Sequence, residues 1–404
     1  MEYNTLKMTA DKNTGSFVRD LQGESGVGFA DGTHVHKDWW KTTMSYDEGL
    51  ELMQRSIEDR QDMLVKASDI RPTVDNGRFV FEVNGLCYSP TDWALQQFST
   101  RSGVPSSTVL GKLHNDTKGV VRDEQDAVAM KYLAANSLRR VDPDKEFLLR
   151  TYKSDSTLRS FVTDKYAPID NRWYIEQLQK NLPNGRLSHW RGDEDTIFGN
   201  VLLPDTVMDY GQDDDSDYGG MVSISNCEIG KRRIGQQPSL FRSICLNGCI
   251  WGQVAGKEIK KRHIGEIDLN ELALKLRENI EAQLPLIPLG MRKLMETRGR
   301  VIGTARLDQV VAAAAKDFKL DKRQASATLQ AWNKFESEHR SQFGLVNAIT
   351  RAGQTLGNDQ WNRFDKIGGN LVDFSDNRWD NLIKRSNTIT DKDMKSIYAG
   401  ELAV

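Results

Sequence analysis

No apolar run in this chain approaches the roughly 18 to 20 residues that a membrane span needs. The opening stretch MEYNTLKMTADKNTG also lacks the apolar core of a secretion signal, so the expected compartment is the cytoplasm. Cysteine is scarce. Four thiols (Cys87, Cys227, Cys245, Cys249) in 404 residues make no disulfide framework, and a reducing compartment would keep them free. Signatures of nucleotide and hydrolase chemistry are missing as well. There is no G-x-x-x-x-G-K-[ST], no strand-borne G-x-G-x-x-G, no G-x-S-x-G and no H-E-x-x-H. P-loop, dinucleotide, serine-hydrolase and zincin chemistry therefore have no anchor, and no cofactor is expected.

Metal sites find little better support. Cys227, Cys245, Cys249 and His263 could in principle close a zinc site, but structural zinc takes close pairs of ligands on a knuckle. Cys245 and Cys249 instead stand four apart in a stretch that reads as strand, where both fit one face as small hydrophobes. His34 and His36 share a strand face without further ligands in view. Nine acids and no base occupy residues 193–217. Counted from Asp213, the sixth and twelfth positions of a calcium loop fall on Tyr218 and Ile224 rather than Gly and Glu. That run reads as a solvated loop.

What is present describes a folded protein: 38% hydrophobic and 28% charged residues, with nine Trp and fourteen Phe. The length suggests roughly two or three domains. Residues 1–42 are Gly-, Asp- and Thr-rich without periodicity and read as an N-terminal arm. Ser45 and Glu48 form the capping-box pattern that opens a helix over SYDEGLELMQRSIED. GRFVFEVNGLCYS alternates around Asn-Gly as a hairpin does, and TDWALQQFST returns to helix. From KEFLLRTY to SLFRSICLN, short β-rich runs alternate with turns, interrupted by the helix DNRWYIEQLQKNL. Beyond residue 266 the apolar period becomes 3.6, with Asp268 and Asp321 placed as caps. The expectation is an α+β fold: a mostly antiparallel sheet with flanking helices over residues 43–266, followed by a helical C-terminal subdomain over 267–404.

Two features bear on function. ALQQFSTRSGVPSSTVLGKLHN has the spacing of a helix-turn-helix, with Gly103 at the turn and Ser99 four residues before it. Its second helix offers only Lys112 to a phosphate backbone, which favours an ordinary helical hairpin. Residues 225–265 gather eight positive residues against Glu228 and Glu258, although the whole chain carries −2. Lys231, Arg232 and Arg233 follow Gly230, while Lys260, Lys261, Arg262 and His263 precede Gly265. Each cluster therefore sits at a turn, where backbone N–H groups can also face an anion. Tyr166, Trp190, Phe241 and Trp251 lie in the same region and supply candidate stacking platforms. The competing reading is a solvated basic face set against the acidic stretch upstream.

LRSFVTDKYAPIDN (158–171), SISNCEIGKRRIGQQPSLFRSICLNGCIWG (223–252), KRHIG (261–265) and FGLVNAITRAGQ (343–354) resemble, in order, motifs of the phage/plasmid-like protein family. The resemblance covers about residues 85–360. Cys227 stands where that pattern has Ser. The family implies a mobile-element protein in the host cell's cytoplasm but no established reaction. By architecture alone the expected arrangement is also similar to that of phage single-strand annealing proteins.

The leading expectation is a non-enzymatic protein that binds single-stranded nucleic acid, with DNA favoured, in recombination or replication. It would hold the strand through Lys165, Tyr166, Lys231, Arg232, Arg233, Arg242, Trp251, Lys260, Lys261, Arg262 and His263; a homo-oligomer is expected, with the helical part mediating self-association or covering the sheet. One alternative is an interaction protein that inhibits a host enzyme, its acidic stretch imitating nucleic acid. Another is a metal-dependent nuclease using Asp164, Asp170 and Glu228.

Overall fold

The computed structural model describes residues 8–10, 17–19, 43–103, 124–188, 195–209, 217–242, 247–249, 259–356 and 358–398. Near the N-terminus β1 (Met8–Ala10) pairs antiparallel with β2 (Phe17–Arg19). The rest of the arm, including Trp39, Trp40 and the two histidines at 34 and 36, lies outside the described residues. Ser45 caps the first helix in the expected capping box, its Oγ accepting from the Glu48 N–H while Glu48 accepts from the Ser45 N–H. The expected single helix is two: α1 (Tyr46–Glu51) and α2 (Gln54–Glu58), interrupted at Leu52 and Met53.

The first sheet contains β3 (Arg60–Lys66), β4 (Arg71–Asp75), β5 (Arg78–Val83), β6 (Leu86–Pro90), β7 (Glu146–Tyr152) and β8 (Thr157–Thr163), in the order β3-β7-β8-β6-β5-β4. Asn84 and Gly85 both have positive φ and turn β5 into β6, as the Asn-Gly pair demands. Asn76 and Gly77 do the same between β4 and β5. One face is covered by α3 (Asp92–Ser102) and α4 (Glu124–Leu138), over a cluster in which Phe81 meets Phe98 and Phe161 edge-on or tilted at 4.9 and 5.7 Å. Pairing between β6 and β8 is parallel and short, running only through Ser89–Thr157 and Pro90–Leu158. Beyond Leu158 the edge of β8 meets α3, where Gln97 Oε1 accepts from the Phe161 N–H and from the Ser160 hydroxyl, each at 2.8 Å.

After α5 (Asn171–Asn181) the second sheet follows, built from β9 (Arg186–Ser188), β10 (Thr196–Asp209), β11 (Asp217–Cys227) and β12 (Ile234–Arg242). β13 (Asn247–Cys249) and β14 (Ile259–Lys261) both pair with β12, and every pairing in this sheet is antiparallel. The helical region then runs through α6 (Leu269–Gln283), α7 (Ile287–Glu296), α8 (Leu307–Phe318), α9 (Lys322–Phe335), α10 (Gln342–Thr355), α11 (Asn358–Val372), α12 (Asp376–Ser386) and α13 (Asp391–Ile397). Asp268 and Asp321 cap α6 and α9 as their positions predict. This region shares one continuous hydrophobic core with the second sheet, from Met44 to Tyr398. The fold is thus α+β with a helical C-terminal region. Among the described residues no helix is long and apolar enough to cross a membrane.

α10 carries the FGLVNAITRAGQ stretch and is buried from Gln342 to Gly353. A Cβ at Gly344 would lie 2.0 Å from the His339 carbonyl oxygen and 3.0 Å from the Trp332 indole nitrogen. Gly344→Ala is therefore expected to destabilise the protein by about 2 kcal/mol through forced backbone displacement. The drop in urea midpoint relative to a nearby conservative change measures it, and an unchanged midpoint would show that α10 moves freely.

Candidate nucleic-acid interface

The turn that joins β11 to β12 does not hang in solvent. Its three carbonyls at residues 227–229 are taken by α3, by β7 of the first sheet and by Tyr166 in the turn after β8. Ile229 O accepts from Trp93 Nε1 at 2.7 Å and from Gln97 Nε2 at 2.8 Å. Glu228 O accepts from the Tyr166 hydroxyl at 2.7 Å and from Arg150 Nη1, and Cys227 O accepts more weakly from Tyr166 at 3.4 Å. Gly230 then takes φ +79°, and an added Cβ would sit 3.3 Å from the Tyr166 ring. Glycine is needed there for both handedness and space. Lys231, Arg232 and Arg233 follow immediately from this clamped point.

Beneath the turn lies a buried ion network. Arg150 and Arg159, both fully buried on β7 and β8, face Glu228, which is also fully buried. Arg159 Nη2 reaches Glu228 Oε2 at 2.9 Å and Asp195 Oδ1 at 2.5 Å, while its guanidinium lies over the Tyr152 ring at 4.4 Å. Arg150 Nε bonds Asp62 at 2.9 Å, and its Nη2 lies 3.5 Å from Asp170. The other Glu228 oxygen accepts from the Asn171 N–H at 2.9 Å. Burial pushes the Glu228 carboxyl above the usual carboxylate range, against the pull of Arg150 and Arg159. Glu228 and Asp170 are thereby committed to guanidinium partners, which corrects their expected role as metal ligands. Asp164 is exposed beside the turn at Tyr166.

A second segment joins this floor. Ala167 N donates to His263 O at 3.2 Å and Gly265 N to Lys165 O at 2.8 Å, which fixes residues 261–265 beside Tyr166. The His263 ring stacks on Tyr166 with centroids 5.4 Å apart and planes 7° from parallel. Neither imidazole nitrogen has a hydrogen-bond partner among the described residues. Burial first, and the Arg150 charge second, lower the His263 pKa to about 4.

The three segments enclose a surface pocket of about 480 Å³. Trp93, Gln96, Gln97, Thr100 and Arg101 of α3 form one wall, and Gly230 to Arg233 with Arg262 to Ile264 complete it over Val162 and Tyr166. Five lining side chains are cationic (Arg101, Lys231, Arg232, Arg233, Arg262), and none of the lining residues is a carboxylate. Among the described residues Arg101, Lys231, Arg233 and Arg262 form no ion pair. Elsewhere arginine is commonly paired, as Arg55, Arg60, Arg300, Arg306 and Arg385 are. Burial without a nearby carboxylate draws the Arg101 pKa below the usual arginine range, although a guanidinium stays charged. Arg232 lies over the Phe198 ring at 4.9 Å. Such a surface can hold an anion of more than one charge.

The sequence-based candidates divide accordingly. Lys231, Arg232, Arg233, Arg262, Tyr166 and His263 meet at the pocket, but the last two change role. Tyr166 offers no open stacking face where His263 covers it, and His263 is a neutral imidazole rather than a cation. Arg242 belongs elsewhere. It is buried, pairs with Glu336 at 2.9 Å and lies over Phe343 at 5.0 Å, tying β12 to the helical region. Phe241 is core, packed with Leu202 and Met221. Lys165 and Lys261 are exposed but are not among the lining residues. The Lys260 backbone pairs with Gly235, while its side chain and all of Trp251 and Trp190 lie outside the described residues. Trp93 and Arg101 were missed. Both lie on the helix weighed as the first half of a helix-turn-helix, and the polar stripe Trp93, Gln96, Thr100 at helical spacing was the available sign. The proposed second helix falls outside the described residues.

Comparisons with protein-family models, with curated proteins and with solved structures return no match.

The neutral His263 makes stability depend on pH. Its imidazole titrates near 6.5 when unfolded and near 4 when folded, so between those values the unfolded chain binds more protons. The contribution is full above pH 6.5 and is lost as pH falls through the window toward 4, by on the order of 3 kcal/mol. His263→Phe, which keeps a ring against Tyr166, is expected to lose less stability than the wild type between about pH 7 and about pH 4.5. Urea midpoints at the two pH values measure this, and equal losses would show that His263 is protonated in the folded protein.

Proposed function

We propose that this is a non-enzymatic nucleic-acid-binding protein of a phage or plasmid that holds single strands, DNA in preference, at the pocket between α3, the β11–β12 turn and residues 262–264. One observation carries the reading: five cations converge on a pocket without a carboxylate, on a backbone already clamped in place. The half-buried Trp93, its ring held by the Nε1 bond to Ile229 O, adds an aromatic surface of the kind that bases stack on. Three of the four stretches that resemble the phage/plasmid-like family meet at this place, which supports a mobile-element role. Self-association would run through the helical region.

Labelled single-stranded DNA and RNA, titrated at two salt concentrations with the mass of the complex followed by light scattering, test the reading. Affinity is expected to fall steeply as salt rises, because phosphate neutralisation releases counterions. Binding indifferent to salt, or no binding to either strand, would sink it.

A further inference from the structure

The pocket's charge and size say more about what enters it. An internal phosphodiester carries a single negative charge, whereas a terminal phosphate at neutral pH carries roughly −1.5 to −2. Five cations around about 480 Å³ exceed what one passing phosphodiester neutralises. That volume is of the order that encloses a single small ligand and not a run of nucleotides. The α3 wall differs from the rest. Trp93, Gln96 and Thr100 offer an aromatic ring, an exposed amide and an exposed hydroxyl without charge, which suits a base and a sugar.

We infer that the pocket takes one nucleoside phosphate unit with a terminal, multiply charged phosphate. The inference rests on the reading of the pocket as a phosphate site and narrows it. Lys231, Arg233 and Arg262 meet the terminal phosphate, Arg101 and Arg232 add to the field around it, and the base lies against Trp93. The site is preorganised, since the carbonyls of residues 227–229 are already bonded to Tyr166, Arg150, Trp93 and Gln97, so little ordering remains for binding to impose. Two sources carry this chemistry: the 5′-phosphorylated end of a strand and a free nucleotide.

The test uses the full chain and a 3′-labelled single-stranded oligonucleotide in three forms: 5′-phosphorylated, 5′-hydroxyl and closed circle. Unlabelled nucleoside 5′-monophosphate and inorganic phosphate serve as competitors, and direct calorimetric titration with the monophosphate runs alongside. The 5′-phosphorylated strand is expected to bind roughly tenfold or more tightly than the other two, with the monophosphate displacing it better than inorganic phosphate does. Trp93→Ala should reduce the advantage of the monophosphate over inorganic phosphate. Lys231→Ala and Arg262→Ala, at exposed positions, should each reduce the preference for the phosphorylated end with the urea midpoint unchanged. Equal affinity for all three strand forms would overturn the inference and leave strand binding standing. Monophosphate binding that Lys231→Ala weakens, without binding of any strand, would uphold the pocket's ligand class and overturn the strand-binding function. A chain that binds neither strand nor nucleotide overturns both.

Discussion

Simultaneous replacement of Lys231, Arg233 and Arg262 by alanine is expected to lower single-strand affinity by about two orders of magnitude at moderate salt, at roughly one charge-assisted contact each. It should also flatten the log-log salt dependence, by roughly 0.7 for each phosphate of a single strand that the three side chains neutralise. All three side chains are exposed, and among the described residues none forms an ion pair, so no buried partner is left behind when they go. Stability should stay within about 0.5 kcal/mol of the wild type. The matched control removes the same formal charge from the helical region, at the exposed Lys384, Lys392 and Lys395. If both triple variants weaken binding equally, net charge and not the pocket holds the strand.

Glu228→Ala is expected to be the most damaging single change, costing about 3 to 5 kcal/mol, the usual penalty for removing one side of a buried ion pair. Arg159 would keep Asp195, but its guanidinium would lose the Glu228 carboxylate at 2.9 Å. The Asn171 N–H at the start of α5 would lose its acceptor as well. Because the same residue's carbonyl is bonded to Tyr166 and Arg150, the damage should spread to the turn that presents the basic side chains. Urea unfolding of Glu228→Ala and of Arg159→Met, singly and together, measures the coupling. A double variant that loses no more than either single one would place the main cost in the unpaired survivor. A Glu228→Ala midpoint equal to wild type would show that the network does not hold the turn.

Local rules were legible in the chain. The capping box at Ser45, the Asn-Gly turn at Asn84, the caps at Asp268 and Asp321 and the shift to a 3.6 period after residue 266 all depend on neighbours within a few positions. Charge was legible too, in the two basic clusters. What residue spacing could not give is which cations face the same space. Arg242 differs from Arg233 by pointing into the protein at Glu336, ninety-four positions away. Trp93 and Ile229 meet across 136 positions. Glu228 looked free for a metal because Arg159, which binds its carboxylate, comes from a strand 69 residues earlier.

The short parallel contact between β6 and β8 has a consequence for how the protein reaches its final state. An uncovered strand edge is a template for pairing with another chain. On β8 that edge is capped by Gln97, and the Ser160 hydroxyl beside it also reaches Ile229 O at 3.5 Å, on a turn that arrives about seventy residues later. Until residues 227–230 have been synthesised and docked, the first sheet has its core but an unfinished border. Contacts of such long sequence separation form slowly. Aggregation of nascent or truncated chains should therefore peak in fragments that end before the β11–β12 turn, and should fall once it is included.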